Sequence, residues 1–432
     1  MRKASLLTIF LIVFIDLVGF GILLPNQQYY GELLGIKNVF LLTLIGPAYS
    51  FFQFIFAPIL GRWSDRIGRR PVLLISQLGT FLSYLFLFSC HFVVGWDAHT
   101  AIFLLYFSRV FAGISGGNIS IATAYIADIT TPENRAQGMG LIGAAFGIGF
   151  VCGPAIGGMV GWYLGLEFVP ITAALFSATA LILTFFTLPE SHHPGEITEG
   201  LRRFSVAGLE HALARPVIGA MIWMVFINGF AFAGMEQTFS LLIQERAFPM
   251  GDALVTAKQA SLASGILFGS LGIIIASVQG GLIGPLAKVF GEPRLACIGP
   301  IITALGLVLV GAAGVLLPGV WLWFILGSAL LAIGSSLFNP SVQSLISRHA
   351  YRAEQGEILG AMQGMASLAR ALGPLLAGLL FSCISSGAPY YAAAGICLVV
   401  GLWATGMHRK LTPPVEAEPP GGFPVEVQTK PE

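Results

Sequence analysis

The sequence predicts an all-α polytopic membrane protein, with twelve transmembrane helices arranged as two pseudo-symmetric six-helix bundles. Hydrophobic residues fill 56% of the 432 positions and charged residues only 10%. Mean hydropathy is +0.83, whereas soluble domains carry about 25% charge. Twelve apolar runs of about twenty residues each match the length needed to cross about 30 Å of hydrocarbon. Of the 22 Lys and Arg residues, 17 fall in the termini, the central connection and every second loop. Three (Lys37, Arg246 and Lys258) fall on the opposite side, and Arg109 and Arg370 lie inside runs. By the positive-inside rule this asymmetry places both termini in the cytoplasm and requires an even number of spans.

Taken in order, the first run covers residues 6–24. It follows Arg2 and Lys3 in the manner of a secretory signal, but Asp16 interrupts it and no small-x-small cleavage site precedes Pro25, so it reads as the first helix. Runs near 40–60, 72–94, 101–122, 137–160 and 168–188 complete a bundle over residues 1–189. Residues 190–215 break the pattern with Pro, Gly, three arginines and four glutamates, which marks a cytoplasmic central loop. Runs near 217–243, 258–282, 295–317, 321–345, 357–384 and 389–407 make a second bundle over 216–410. Residues 411–432, rich in Pro, Gly and Glu, read as a disordered cytoplasmic tail. The five cysteines are scattered through apolar runs without C-x-x-C spacing and read as small buried hydrophobes.

Between the second and third runs, residues 61–70 (GRWSDRIGRR) hold four arginines. Gly61 and Gly68 are expected to turn the backbone, and Pro71 to open the next helix. Residues 284–294 occupy the same place in the second half. Gly284 answers Gly61, Gly291 answers Gly68 and Lys288 stands where Asp65 does. A duplicated six-helix unit explains this, and such repeats imply two bundles rocking about a midplane site.

On these residues the chain resembles the major facilitator superfamily, in particular its twelve-helix drug:proton antiporter branch and the tetracycline efflux proteins within it. The resemblance rests on G-x-x-x-D-R-x-G-R-R at Gly61–Arg70, Asp16-x-x-Gly19-x-Gly21 in helix 1 and Arg109-x-x-x-Gly113 before Gly116 and Gly117 in helix 4. It extends to Asp128 at the exit of helix 4, to Asn339-Pro340 with Gln343, and to Gly373-Pro374. Helix 5 carries Gly149, Gly153, Pro154, Gly157 and Gly158, the pattern that marks antiporters in that superfamily; small residues at this spacing allow close approach, which the resemblance assigns to helix 8. The acidic residues that tetracycline exporters carry inside helices 3 and 9 are missing from 72–94 and 295–317. The resemblance also implies a conformational latch built from Gly61, Asp65, Arg66, Gly68, Arg69, Arg70 and Asp128. In it, Asp65 meets the start of helix 11 near Gln355 and Arg69 meets Asp128, holding the cytoplasmic side shut.

Ionisable residues inside a bilayer cost about 2.5 to 3.5 kcal/mol on insertion scales and are functional candidates. Asp16, Arg109, Glu236 and Arg370 qualify as proton-coupling residues, or as the static pairs Asp16 with Arg109 and Glu236 with Arg370. Gln27, Gln28, Asn118, Asn228, Gln237, Asn339 and Gln343 are candidates for hydrogen-bonding a substrate in the cavity. His192 and His193 lack further ligands at metal-site spacing, so no metal and no cofactor are expected. No G-x-x-x-x-G-K-[ST], H-E-x-x-H or G-x-S-x-G occurs, which argues against direct ATP coupling and against an integral membrane enzyme. With the basic residues dispersed among short loops, no nucleic-acid partner is expected. The expected function is proton-coupled export of a small amphiphilic or drug-like compound by a monomeric inner-membrane protein. A proton symporter, or a lipid or metabolite exporter, is the alternative on the same fold.

Overall fold

The computed structural model of the chain describes residues 2–130, 135–191, 206–249, 252–315, 319–350 and 355–411. The tail from Thr412, Pro132 and Glu133, and residues 192–205 with His192 and His193 lie outside them, as do the side chains of Arg135 and Gln355. Among the described residues, twelve helices are long and apolar enough to cross a membrane. Spans 1 to 6 are Leu6–Leu23, Val39–Ile67, Arg69–Val93, Ala98–Ile129, Ile142–Tyr163 and Leu166–Thr187. Spans 7 to 12 are Pro216–Ala247, Leu254–Phe290, Glu292–Ala312, Val320–His349, Ile358–Cys383 and Ala388–Gly406. The end of the molecule that carries Arg69 is called the basic end below, and the opposite one the distal end.

The packing repeats with a shift of six spans. Span 1 packs on spans 5 and 6, span 3 on 4 and 6, and span 2 on 4; correspondingly span 7 packs on 11 and 12, span 9 on 10 and 12, and span 8 on 10. Between the halves, span 2 meets span 11 and span 5 meets span 8, and adding or subtracting six exchanges these two contacts. The fold is therefore a pair of six-helix bundles related by pseudo-symmetry, as the internal repeat requires.

Four local features depart from the sequence expectation. Span 2 continues to Ile67, so Gly61 lies inside a helix and Gly68 alone makes the turn, at φ 108°. In the second copy Gly284 is likewise helical and Gly291 turns at φ 80°. A short helix, Gln27–Leu33, follows span 1. Span 4 is broken at Gly116 and Gly117 into Ala98–Ser115 and Asn118–Ile129, and span 8 passes through a π-helical stretch at Val278–Leu282. At the distal end Asn38, Asp97 and Asp252 cap spans 2, 4 and 8, each accepting from backbone N–H groups two or three residues on, which satisfies donors the helix leaves free. The hydrogen bonds from Thr100 and His99 hold the Asp97 carboxyl below its ordinary range. Of the cysteines, Cys90, Cys297 and Cys397 are buried, Cys152 is half-buried and Cys383 is exposed.

Candidate functional site

Asp16 in span 1 is held at the break in span 4. Its Oδ2 accepts from the Asn118 amide, while Oδ1 is buried without a hydrogen-bond partner among the described residues. Asn118 opens the second half of the broken helix, so the carboxylate stands at a half-helix N-terminus, where unpaired N–H groups favour negative charge. The break itself is satisfied from neighbouring spans. The Ser76 hydroxyl lies against both the Ser115 carbonyl and Asn118 Oδ1, which share its one proton, and Gln53 Nε2 donates to the Gly116 carbonyl at 3.0 Å and to Tyr49 Oη at 2.7 Å. Such discontinuous helices mark ion and substrate sites in transporters.

The structure does not form the two static ion pairs. Arg109 is 5% exposed, donates from Nε to Ser108 Oγ at 3.3 Å and lies over the Tyr84 ring at 5.6 Å from its centroid. Asp16 goes to Asn118 instead. Arg370 donates to Ser367 Oγ at 2.9 Å on its own helix. Glu236 stands close enough for their charges to interact, but the two do not reach ion-pair distance. Tyr49, on span 2, lies within electrostatic reach of Asp16, Arg109 and Arg370.

The amides expected around a substrate are divided among three tasks. Gln27 and Gln237 join the two halves at the distal end: Gln27 Nε2 donates to Gln237 Oε1 at 2.6 Å, and Gln28 Nε2 donates to the Gln237 carbonyl at 2.9 Å. The same seal includes Tyr29 Oη donating to the Ser240 carbonyl at 2.5 Å, Ser261 Oγ donating to Asn26 Oδ1 at 2.5 Å and Gln244 Nε2 donating to Glu32 Oε2 at 2.9 Å. Burial there pushes the Glu32 carboxyl up, against the effect of the Gln244 bond. Asn228 is 3% exposed and faces Cys397 within its own bundle at 3.6 Å. Asn118 positions Asp16, and only Asn339 and Gln343 present exposed side chains.

The glycines of span 5 serve two neighbours, not one. A Cβ on Gly149 would meet Leu17 at 2.9 Å and one on Gly153 would meet Gly21 at 2.7 Å, while Gly157 lies against the Ile22 carbonyl. This stripe therefore seats span 5 on span 1 of the same half. Pro154 and Gly158 face span 8, whose own Gly265 would bring a Cβ to 2.6 Å from the Pro154 carbonyl oxygen and 2.8 Å from Gly158 Cα. Close backbone contact on both helices is what small residues permit.

At the basic end the Arg69 side chain is 1% exposed. It donates from Nε to Asp128 Oδ2 at 2.8 Å, from Nη1 to Ser64 Oγ at 2.7 Å and from Nη1 to Asp65. Arg66 is exposed. Arg70 Nη2 donates to the Phe185 carbonyl at 2.6 Å. The carboxylate at a helix N-terminus here is Glu190, which accepts from the backbone N–H groups of Arg69 at 2.8 Å and Arg70 at 3.1 Å. Sequence reading placed Glu190 only in a polar connection; its position three residues beyond span 6 was the available signal. In the second half the matching place holds Glu292, which accepts from Ser344 Oγ at 2.8 Å and pairs with Arg348 at 3.2 Å. The signs of the pair are thus exchanged between the halves. Lys288, at the position of Asp65, is exposed.

Gly68 lies in backbone territory that other residues avoid, and its Cβ would fall 2.6 Å from Glu190 Oε2. Gly68→Ala is expected to lower stability by about 1 to 3 kcal/mol, read as an earlier thermal unfolding transition of the purified protein. An unchanged transition would show that the turn relaxes.

The sequence profile described as the Major Facilitator Superfamily matches residues 9–283 and 280–431. The chain is 30% identical over 379 residues to "Tetracycline resistance protein, class E" of Escherichia coli, covering 86% of each sequence. It is 30% identical over 415 residues to human "Major facilitator superfamily domain-containing protein 10", covering 89% of this chain and 81% of that one. The crystal structure of the human organic anion transporter MFSD10 superposes with a TM-score of 0.65 at 27% identity, covering 93% of this chain and 99% of that one. A D-xylose-proton symporter shares the fold at a TM-score of 0.72 and 16% identity.

Proposed function

We propose, from the premise that the chain belongs to the Major Facilitator Superfamily and is a transporter and not an enzyme, that it exports a small amphiphilic or drug-like compound in exchange for protons. The observation that carries this reading is Asp16. It is a carboxylate set within a membrane span, with one oxygen on Asn118 at a helix break and the other without a partner. A group so placed is able to take and release a proton as the neighbouring half-helix shifts. Kinship with the tetracycline resistance proteins and with the organic anion transporter MFSD10 supports an amphiphilic cargo.

The cycle is alternating access in the cell membrane by a monomer with both termini in the cytoplasm. The joined distal ends and the exposed Asn339 and Gln343 belong to its inward-open state. In the outward-open state Asp65 reaches the start of span 11 and latches the basic end, an anion at a helix N-terminus contributing about 0.3 to 1 kcal/mol. The test is growth of an efflux-deficient bacterial host on a panel of toxic compounds. Protection by the wild-type protein, abolished by a protonophore and by Asp16→Asn at equal membrane abundance, is expected. Protection that persists in Asp16→Asn removes Asp16 from the coupling.

A further inference from the structure

Along span 3, Thr80, Ser83 and Ser89 each return their hydroxyl proton to a carbonyl of their own helix, three or four residues back, a common habit of such side chains in helices. Ser76 does not. Its hydroxyl is buried and turned to span 4, against both the Ser115 carbonyl and Asn118 Oδ1. Gly79, one turn further on, makes room for this approach, since a Cβ there would collide with the Ser115 hydroxyl. The two acceptors stand on either side of the break, Ser115 closing the half-helix Ala98–Ser115 and Asn118 opening Asn118–Ile129. A serine hydroxyl has a single proton and two lone pairs, so it serves one of these acceptors at a time.

Asn118 decides which. Its amide lies between Asp16 and Ser76, with Nδ2 on Asp16 Oδ2 and Oδ1 on Ser76. A carboxylate only accepts, so it demands the N–H side of the amide and leaves Oδ1 to take the Ser76 proton. A protonated Asp16 is itself a donor. Its O–H is met by Asn118 Oδ1 once the amide has turned over about its Cβ–Cγ bond, and Nδ2 then faces Ser76. Ser76 accepts from Asn118 in this setting, and its own proton goes to the Ser115 carbonyl. That carbonyl already takes the Gly117 N–H at 2.8 Å on one lone pair, and the Ser76 proton fills the other. The neighbouring Gly116 carbonyl is served by Gln53 at 3.0 Å in either setting. No proton passes along this chain of groups: one amide and one hydroxyl rotate, and only Asp16 gains or loses a proton.

We infer that Asn118 and Ser76 are positioning residues that transmit the protonation of Asp16 to the break in span 4, fastening the Ser115 carbonyl when Asp16 is protonated and releasing it when Asp16 is charged. The inference rests on the proton-coupling role given to Asp16 above and names the backbone group that the proton controls. Among the described residues, none of the other titratable groups around Asp16 hydrogen-bonds to Asn118. Tyr49 of span 2 and Tyr84 of span 3 are within electrostatic reach of Asp16, and phenols stay protonated through neutral pH. Spans 5 and 6, which pack on span 1, bring Cys152, Tyr163 and, at the distal start of span 6, Glu167. Arg109 of span 4 is turned to Ser108 and the Tyr84 ring.

The experiment follows hydrogen exchange by mass spectrometry in the purified full-length protein in lipid nanodiscs. Protection of residues 112–122, taken relative to an unstructured chain at the same pH, is expected to be about 2- to 10-fold higher at about pH 5 than at about pH 8, the effect of one neutral hydrogen bond on local opening. Asp16→Asn and Ser76→Ala are each expected to remove that pH response, and Ser76→Thr, which keeps the hydroxyl, to restore it. A second readout is the acid-minus-neutral infrared difference spectrum of protein carrying carbon-13 in its asparagine side-chain carbonyls. One isotope-shifted amide band is expected to change together with the Asp16 carboxyl band and to vanish in Asn118→Gln. A pH response that survives in Ser76→Ala, its equal loss in Ser76→Thr, or an asparagine band that stays silent while the carboxyl titrates would overturn the inference. The growth panel separates the two readings. Protonophore-sensitive protection that Asp16→Asn abolishes, with no pH response of residues 112–122, overturns the link to the break and leaves the exporter standing. The pH response and the asparagine band together, in a protein that protects against nothing, support the link and count against export.

Discussion

Arg69→Ala is expected to lower the stability of the purified protein by about 3 kcal/mol, because it leaves the nearly buried Asp128 and the half-buried Asp65 beside an empty place where the cation stood. Arg69 is among the largest fully buried side chains of the described residues and binds both acids as well as Ser64. The control is Arg66→Ala, three positions away in the same basic stretch. Arg66 is exposed, and its removal is expected to stay within about 0.5 kcal/mol. A double variant, Arg69→Met with Asp128→Leu, separates lost charge pairing from lost packing, since apolar replacement of a whole buried pair is often neutral. Denaturant or thermal unfolding in detergent checks all three. Equal effects of Arg69→Ala and Arg66→Ala would mean that the buried pair contributes nothing beyond a surface charge.

Gly265→Val is expected to tip the balance between conformations. A Cβ there meets the Pro154 carbonyl oxygen and Gly158 Cα at 2.6 and 2.8 Å, both backbone atoms that cannot rotate aside. Overpacking of about 1 to 3 kcal/mol falls on the state in which spans 5 and 8 touch, so the ratio of distal-closed to distal-open protein should fall about 5- to 150-fold. Spin labels at Lys37 and Leu254, exposed positions on opposite halves near the distal end, report it as a population at longer distance. An unaltered distance distribution would mean that the contact carries no part of the equilibrium.

The twelve spans were legible because apolar length is a property of each segment alone, and the duplication because Gly68 and Gly291 must each supply the same turn. What escaped reading is what depends on a partner. Gln27 within an apolar neighbourhood asks for a hydrogen bond, and a cavity-bound substrate or a facing helix answers equally well; the actual partner, Gln237, lies 210 positions away. The glycines of span 5 announce close packing without saying on whom, and three of them face span 1. Arg109 and Asp16 have opposite charges in neighbouring helices, yet the nearer Asn118 claims the acid. Gly61 looked like a loop residue because the basic residues around it sit equally well on a helix that projects past the bilayer. Glu190 could be placed just beyond span 6 from the sequence, but its partners, the free N–H groups of Arg69 and Arg70, lie some 120 positions earlier and are brought to it only by the fold.

The exchanged signs of the two basal pairs bear on how such a chain drifts. Arg69 with Asp128 in one bundle and Arg348 with Glu292 in the other each put one cation and one anion at the same end of the molecule. A rule that counts positive residues per side during insertion registers one cation from each pair and is blind to which helix bears it. Clamping requires only that opposite signs meet. The two halves have therefore been free to wander to opposite solutions, provided each wanders in pairs, without any cost to the direction in which the chain enters the bilayer.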